Sequence, residues 1–242
     1  MTLFARTLER YRKDHADRLP FLNDSPPADL PDLLRRLSTL QGEAFTAALQ
    51  LVSDLKDREA VPVLIDLLAE GDPQQAEPLA HVIATIGGRR ACPGLLRVLV
   101  ESDQPQRRWA ALYGLTWLMD SRAFRPLLKL FRDPREPASL RAQAAEALTY
   151  LLSDVPSHDS PHDAAIDAFL AGLDDASTDV QFWSVYALGT LQARRALPKL
   201  RLIACRADEG LTSSGNSVRD EAQDAIQVIE QGYHAQARSR DC

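Results

Sequence analysis

Residues 180–202 read VQFWSVYALGTLQARRALPKLRL. Apolar side chains recur in this stretch at spacings of three and four residues, the period of one face of an α-helix. Leu188 and Leu191 belong to the first apolar run and Leu200 to the second, with the basic pair Arg194 and Arg195 between them. The stretch therefore predicts two helices joined by a short turn.

The same pattern recurs along the chain. Two apolar columns of the first helices step by 31, 32, 33, 40 and 38 residues, and an alanine column steps by 31, 32, 41 and 32. The first apolar column is Val52, Ile83, Leu115, Leu148, Leu188 and Ile226, and the second is Leu55, Ile86, Leu118, Leu151, Leu191 and Ile229. The alanines are Ala60, Ala91, Ala123, Ala164 and Ala196, and a leucine column of the second helices is Leu33, Leu64, Leu95, Leu127 and Leu200. Two short helices cannot bury their apolar faces alone, so stacked neighbours must supply the core.

Prolines and polar turn residues mark the boundaries of these units. Pro31, Pro62 and Pro93 each open an apolar run, as expected at the first turn of a helix. Eight extra residues around Ser153–Pro161, and a second insertion at Gly210–Asn216, are rich in turn residues and predict loops. The expected fold is all-α: one α-solenoid, or superhelix, of about six stacked antiparallel hairpins over residues 1–232. This range includes capping helices at its N-terminal end, and residues 233–242 are expected to form a disordered tail.

Several segments resemble a known repeat. LRAQAAEALTYL, IGGRRACPGLL and the stretch Val180–Leu202 resemble the HEAT-like repeats of bacterial proteins, a group that includes phycobilin lyase subunits. The resemblance extends from about Asp29 to Ile229 and implies a HEAT/armadillo-like solenoid, but it is nearly silent on function because this repeat serves many activities. It also implies an inter-repeat structural contact for the arginines at one position, Arg108, Arg141 and Arg219, where Gln181 stands in the fifth unit.

The bulk composition argues against several classes of protein. The 242 residues carry a formal net charge of -6, which disfavours non-specific nucleic-acid binding. The three cysteines form no CxxC pair, so neither a disulfide framework nor a zinc site is predicted. We find no signal peptide and no apolar run of membrane-spanning length, so the expected location is cytoplasmic, without contact to a membrane.

Residues that would carry chemistry are not recognisable. No histidine is followed by glutamate, as in the iron-binding dipeptides of deoxyhypusine hydroxylase, which is also a HEAT-like protein. His158-Asp159 and His162-Asp163 are spaced for a metal only if that stretch were helical, and Pro156 and Pro161 argue against a helix there. We therefore expect no metal, no cofactor and no catalysis. The alternative is an enzyme or enzyme subunit, either phycobilin-lyase-like or a HEAT-like DNA glycosylase.

Aromatic residues suggest one binding surface. Two positions four residues apart on the first helices share one face, and equivalent positions on adjacent units are neighbours in space. The first position carries Tyr113, Glu146 and Tyr186, and the second carries Trp117, Tyr150 and Thr190. Tyr113, Trp117, Tyr150 and Tyr186 therefore form a candidate aromatic patch, because large aromatics are typical interface anchors. The competing interpretation is that they fill gaps between helices.

Basic residues on the second helices suggest another surface. The candidate residues are Arg97, Arg125, Lys129, Lys199 and Arg201. If these helices line the concave surface, as in the proteins that the chain resembles, the strip would suit an acidic peptide or protein. The competing interpretation is an ordinary solvated helix face. The sequence thus predicts a protein-interaction scaffold or adaptor whose partner is a protein rather than a nucleic acid.

Overall fold

The computed structural model describes the backbone of residues 2–15, 25–153 and 160–240, and the side chains of residues 2–14, 25–153 and 162–232. Their contacts divide the chain into two compact units, residues 1–118 and 119–242, which are described separately. The helices of the first unit are α1 (Leu3–His15), α2 (Leu30–Leu37), α3 (Gly42–Leu55), α4 (Val61–Glu70), α5 (Ala76–Gly87), α6 (Cys92–Glu101) and α7 (Pro105–Leu118). Those of the second are α8 (Phe124–Arg132), α9 (Ala138–Ser153), α10 (Ser160–Gly172), α11 (Thr178–Thr190), α12 (Leu197–Ala204) and α13 (Val218–Arg240).

A short 3₁₀ turn comes directly before each of four second helices. The turns are Arg58–Ala60, Gly88–Ala91, Ser121–Ala123 and Arg194–Ala196, and each ends in a fully or almost fully buried alanine of the predicted column. Side chains of Asp57 and Asp120 accept hydrogen bonds from backbone N–H groups of the turns that follow them. Proline follows at once in several second helices, at the position where its missing N–H has no partner to lose.

The first unit consists of two layers of helices. The first helices α3, α5 and α7 pack side by side, and the second helices α4 and α6 do the same. Contact between α4 and α6 is close at Gly94, where an added Cβ would lie 2.4 Å from Ile65 Cδ1. Leu33, Leu64 and Leu95 of the second-helix column are fully buried in this unit.

The second unit repeats the arrangement. Its first helices α9, α11 and α13 pack in sequence, and α8 packs against α9 and α10. Phe131 of α8 and Phe169 of α10 meet in the core with their ring centroids 5.4 Å apart. Within the described residues all regular structure is helical apart from one isolated bridge between Leu211 and Ser217, at the two ends of the second predicted insertion. The predicted all-α solenoid of antiparallel hairpins is therefore confirmed.

The structure differs from the sequence-based prediction at two places, and a third predicted feature lies outside the described residues. In the fourth unit the buried alanine is Ala165, whereas Ala164 is half-buried, so the predicted column is wrong there by one residue. Residues 154–159 of the first insertion lie outside the described residues. At the chain end α13 continues to Arg240, where the sequence predicts a disordered tail; alanine, glutamine and arginine, which favour helix, dominate that stretch.

None of the helices in the described part of the chain is both long enough and apolar enough to span a bilayer.

Candidate protein-binding surfaces

Three aromatic side chains form a row along α7. They are Trp109, Tyr113 and Trp117, spaced by four residues so that one face of the helix carries all three. The rings of Trp109 and Tyr113 stack at 5.6 Å with an interplanar angle of 11°, and Trp117 meets Tyr113 edge-on at 6.0 Å. Another face of α7, which includes Leu112 and Leu115, is buried in the first unit. We call Trp109, Tyr113 and Trp117 the aromatic row.

The row ends in an exposed tryptophan. The Trp117 side chain is 65% exposed, whereas Tyr113 and Trp109 are half-buried. Trp117 is therefore not a filler between helices, and Tyr113 supports it from one side. Sequence reasoning did not include Trp109 in the patch, although its spacing of four from Tyr113 was a sufficient signal.

A second group lies on α9 and α11 of the other unit. Tyr150 is 37% exposed, and it interacts electrostatically with Glu146, one turn earlier on α9, and with Tyr186 of α11. Trp183 meets Tyr186 edge-on at 5.5 Å. Desolvation is the main cause that raises the pKa of Tyr150, and the charge of Glu146 and the interaction with Tyr186 raise it further. We call Glu146, Tyr150, Trp183 and Tyr186 the tyrosine cluster.

Glu146 is a half-buried carboxyl within this cluster. Burial raises its pKa, and a 2.7 Å hydrogen bond from the Gln143 side chain only partly opposes that effect. The folded state therefore disfavours ionisation of this carboxyl group.

The predicted four-residue patch is thus distributed over both units. Tyr113 and Trp117 lie together in residues 1–118, and Tyr150 and Tyr186 lie together in residues 119–242. Each pair is adjacent as expected from the repeat register. A single patch of all four residues stays a prediction.

Three of the five residues of the predicted basic strip are paired with acids from other segments of the same unit. Arg97 binds Asp66 at 3.1 Å, and Arg201 binds Glu230 at 2.8 Å. Lys199 forms an ion pair with Asp174 and donates to the backbone carbonyl of Leu170 at 3.0 Å. These cations therefore link helices within each unit, and their charges are largely compensated. A continuous positive strip does not follow from the structure.

Arg125 and Lys129 on α8 are different. Both are exposed, and within the described residues neither side chain forms a hydrogen bond or an ion pair. Together with Arg132 and Arg135 they line a cavity of about 620 Å³ whose other lining residues are Leu128, Asp133 and Pro134. We call this the α8 cavity.

The arginines at the shared repeat position have the structural role that the resemblance implies. Arg108 donates from Nε to the Leu99 carbonyl at 3.0 Å, at the end of the preceding helix. Arg141 forms a two-pronged ion pair with Asp175, which precedes the next hairpin. Arg219 reaches Glu209, just before the second predicted insertion, at 3.2 Å. Arg108 and Arg141 therefore make the inter-repeat contacts that the resemblance implies, whereas Arg219 contacts the loop between the fifth and sixth units.

Comparisons with known proteins agree with this architecture. Residues 61–149 match the family model of HEAT repeats. An armadillo repeat protein designed computationally for modular peptide recognition is similar in structure, with a TM-score of 0.53 and 19% identity, over 83% of this chain and 99% of that one. A chain from a complex of Kap95p with RanGDP gives a TM-score of 0.56 at 12% identity over 93% of this chain, which spans only 34% of that longer one.

A chain of the CpcE–CpcF complex of phycocyanin lyase from Nostoc sp. PCC7120 covers 96% of this chain at 17% identity, but its TM-score of 0.41 supports no inference. No curated protein matches the sequence significantly. The resemblance to HEAT-like repeat proteins is confirmed, and at these identities the structural matches establish the fold alone.

Proposed function

We propose that the chain is a protein-interaction module that binds a protein partner through the aromatic row of α7 and performs no catalysis of its own. The observation that carries the proposal is the exposed indole of Trp117 at the end of a row whose helix is otherwise anchored in the core.

The physical argument concerns the cost of leaving this indole in water. Burying the 65% of the Trp117 side chain that is exposed would contribute about 3–4 kcal/mol of apolar transfer free energy. Tryptophan and tyrosine are enriched among the residues that dominate binding energy, particularly where neighbouring side chains hold them in place. Tyr113 and Trp109 supply that support, so Trp117 needs little ordering on binding.

The shared fold supports the same class of function. Armadillo repeat proteins designed for modular peptide recognition have this architecture. In repeat proteins of this kind, each hairpin can present a side chain to a partner while its buried columns stay unchanged. The tyrosine cluster offers a comparable surface on the second unit.

Affinity capture from a lysate of the source cells, compared across variants, tests this proposal. The chain offers a matched control, since the Leu202 side chain is also exposed, at 72%, and it has no part in the aromatic row. We expect a partner that the wild type captures to be lost at least tenfold with Trp117→Ala and retained with Leu202→Ala. Circular dichroism should show that both variants are folded. Equal recovery with Trp117→Ala and the wild type would overturn the proposal.

A further inference from the structure

Arg125 and Lys129, which line the α8 cavity, differ from the other predicted residues of the basic strip. Arg97, Lys199 and Arg201 each form an ion pair with an acid from another segment of the same unit. The lining of the cavity contains four cations and a single acid, Asp133. A cavity with this excess of positive charge stands out on a chain whose formal net charge is -6.

Asp133, the one acid of the lining, already accepts three hydrogen bonds from Arg135. Arg135 holds Asp133 with two side-chain hydrogen bonds, Nε to Oδ1 at 2.9 Å and Nη2 to Oδ2 at 2.7 Å, and its backbone N–H adds a third at 3.0 Å. The hydrogen bonds from Arg135 lower the pKa of Asp133 to about 2, so this carboxylate is ionised at neutral pH. Its charge offsets that of Arg135 and also interacts with Lys129, so among the residues described around the cavity the four cations outnumber the one acid by three.

The other three cations lie on one face of α8. Arg125, Lys129 and Arg132 lie at positions i, i+4 and i+7 of α8, so they share one face and span about 10 Å along the helix. Arg132 is oriented by a 2.7 Å hydrogen bond to the Ala164 carbonyl, and it forms no ion pair with any acid whose side chain the structure describes. The other face of α8, with Leu127 and Phe131, is buried and keeps the helix in place.

This spacing indicates the kind of ligand. In an extended peptide, alternate side chains on one side lie about 7 Å apart, so two or three of them span the length of the three cations. A cavity of about 620 Å³ has room for several side chains at once. We propose that the α8 cavity binds an acidic peptide segment, with two or three Asp or Glu side chains, presented by a protein partner. The proposal does not rest on the aromatic row, which lies on a different unit.

Fluorescence anisotropy with labelled hexaglutamate tests the site directly. We expect Arg125→Gln/Lys129→Gln to weaken binding at least tenfold, and binding by the wild type to weaken as salt rises. The control is Arg97→Gln/Arg201→Gln, which removes the same formal charge from residues that are already ion-paired, and it should change the affinity less than twofold. All four substituted residues are exposed, so both variants should keep the helical circular dichroism of the wild type.

Three results would overturn the proposal. The first is equal weakening in both double variants, which would mean that only total charge matters. The second is no binding by the wild type at millimolar peptide. The third is tighter binding, with the same variant dependence, of a single-stranded hexathymidylate or of inorganic phosphate, which would assign the cavity to nucleic acid or to a phosphate group instead.

Discussion

The pair between Arg141 and Asp175 gives the sharpest prediction for stability. Arg141 bridges from α9 to the segment before α11, and its side chain is only 11% exposed, while that of Asp175 is 17% exposed. Its Nε also donates to the Glu136 carbonyl at 3.2 Å. We expect Arg141→Ala to destabilise the second unit because it leaves the Asp175 carboxylate enclosed without its counter-charge.

The magnitude follows from this burial. Removal of one partner from a fully buried ion pair costs about 3–5 kcal/mol. Since both groups keep some contact with water, we expect about 3 kcal/mol, equivalent to a melting temperature lower by roughly 6–12 °C. Arg201→Ala is the matched control: its ion pair with Glu230 is 60% and 47% exposed, so the loss should stay within about 0.5 kcal/mol.

The pH dependence adds a second check. Burial alone would raise the pKa of Asp175, but the hydrogen bonds from Arg141 and from the Ser177 N–H outweigh it and leave this pKa below its ordinary value. A lowered pKa in the folded state contributes stability above the unfolded value of 3.8, and that contribution is lost as the pH falls through the folded value. The wild type and Arg141→Ala should therefore differ less in their free energy of unfolding below pH 3.8 than at pH 7. Urea unfolding followed at 222 nm measures it, and a difference between Arg141→Ala and Arg201→Ala of less than about 0.5 kcal/mol at pH 7 would refute the reasoning.

Three other substitutions test the packing and the electrostatics. Gly189→Ala should cost about 1–3 kcal/mol in chemical denaturation, because its Cβ would lie 3.0 Å from Ala225 Cα, and unchanged stability would show that α11 and α13 separate easily. Phe169→Ala should cost about 3–5 kcal/mol by the same assay, since this ring is among the largest fully buried side chains; a loss below about 1 kcal/mol would contradict its place in the core. Glu146→Gln should raise stability at pH 7, because the raised pKa of Glu146 means that ionisation penalises the folded state as the pH rises through 4.5. The gain should vanish near pH 4, and a loss of stability at pH 7 would contradict the pKa direction.

Much of the core was predictable because periodicity in a helix reports burial, although Leu118, Leu191 and Ile226 of the predicted columns are only half-buried. Val52, Ile83, Leu148 and Leu188 are all fully buried, as their shared register predicts. The failure at Ala164 has an equally physical origin. An insertion precedes it and two alanines are adjacent there, so the spacing alone could not decide which of them faces the core.

The basic strip was only partly predictable. Arg97 follows Asp66 by 31 residues, one repeat length, so the two occupy equivalent positions on adjacent units. The repeat register was therefore sufficient to predict their ion pair. The partner of Lys199 was not, because Asp174 lies after the end of α10, at a position that the repeat does not fix. Whether a cation is compensated depends on which acid the fold brings next to it. The composition and spacing of the sequence predict only the positions of the cations.

Exposure of the aromatic residues was also open until the structure was known. The same spacing is compatible with rings that fill gaps and with rings that face water. Trp117 lies in the last turn of α7, two residues before Met119, where the chain turns with a positive φ of 48°, and its exposed fraction of 65% decides between the two readings.

The central claim is that Trp117 contacts a protein partner, and site-specific photo-crosslinking tests it most directly. A benzoylphenylalanine residue would replace Trp117 in one variant and the equally accessible Leu202 in another, and each would be irradiated in a lysate of the source cells. We predict a discrete crosslinked adduct with one polypeptide from position 117 and none with that polypeptide from position 202. The absence of an adduct from position 117, or the same adducts from both positions, would contradict the claim.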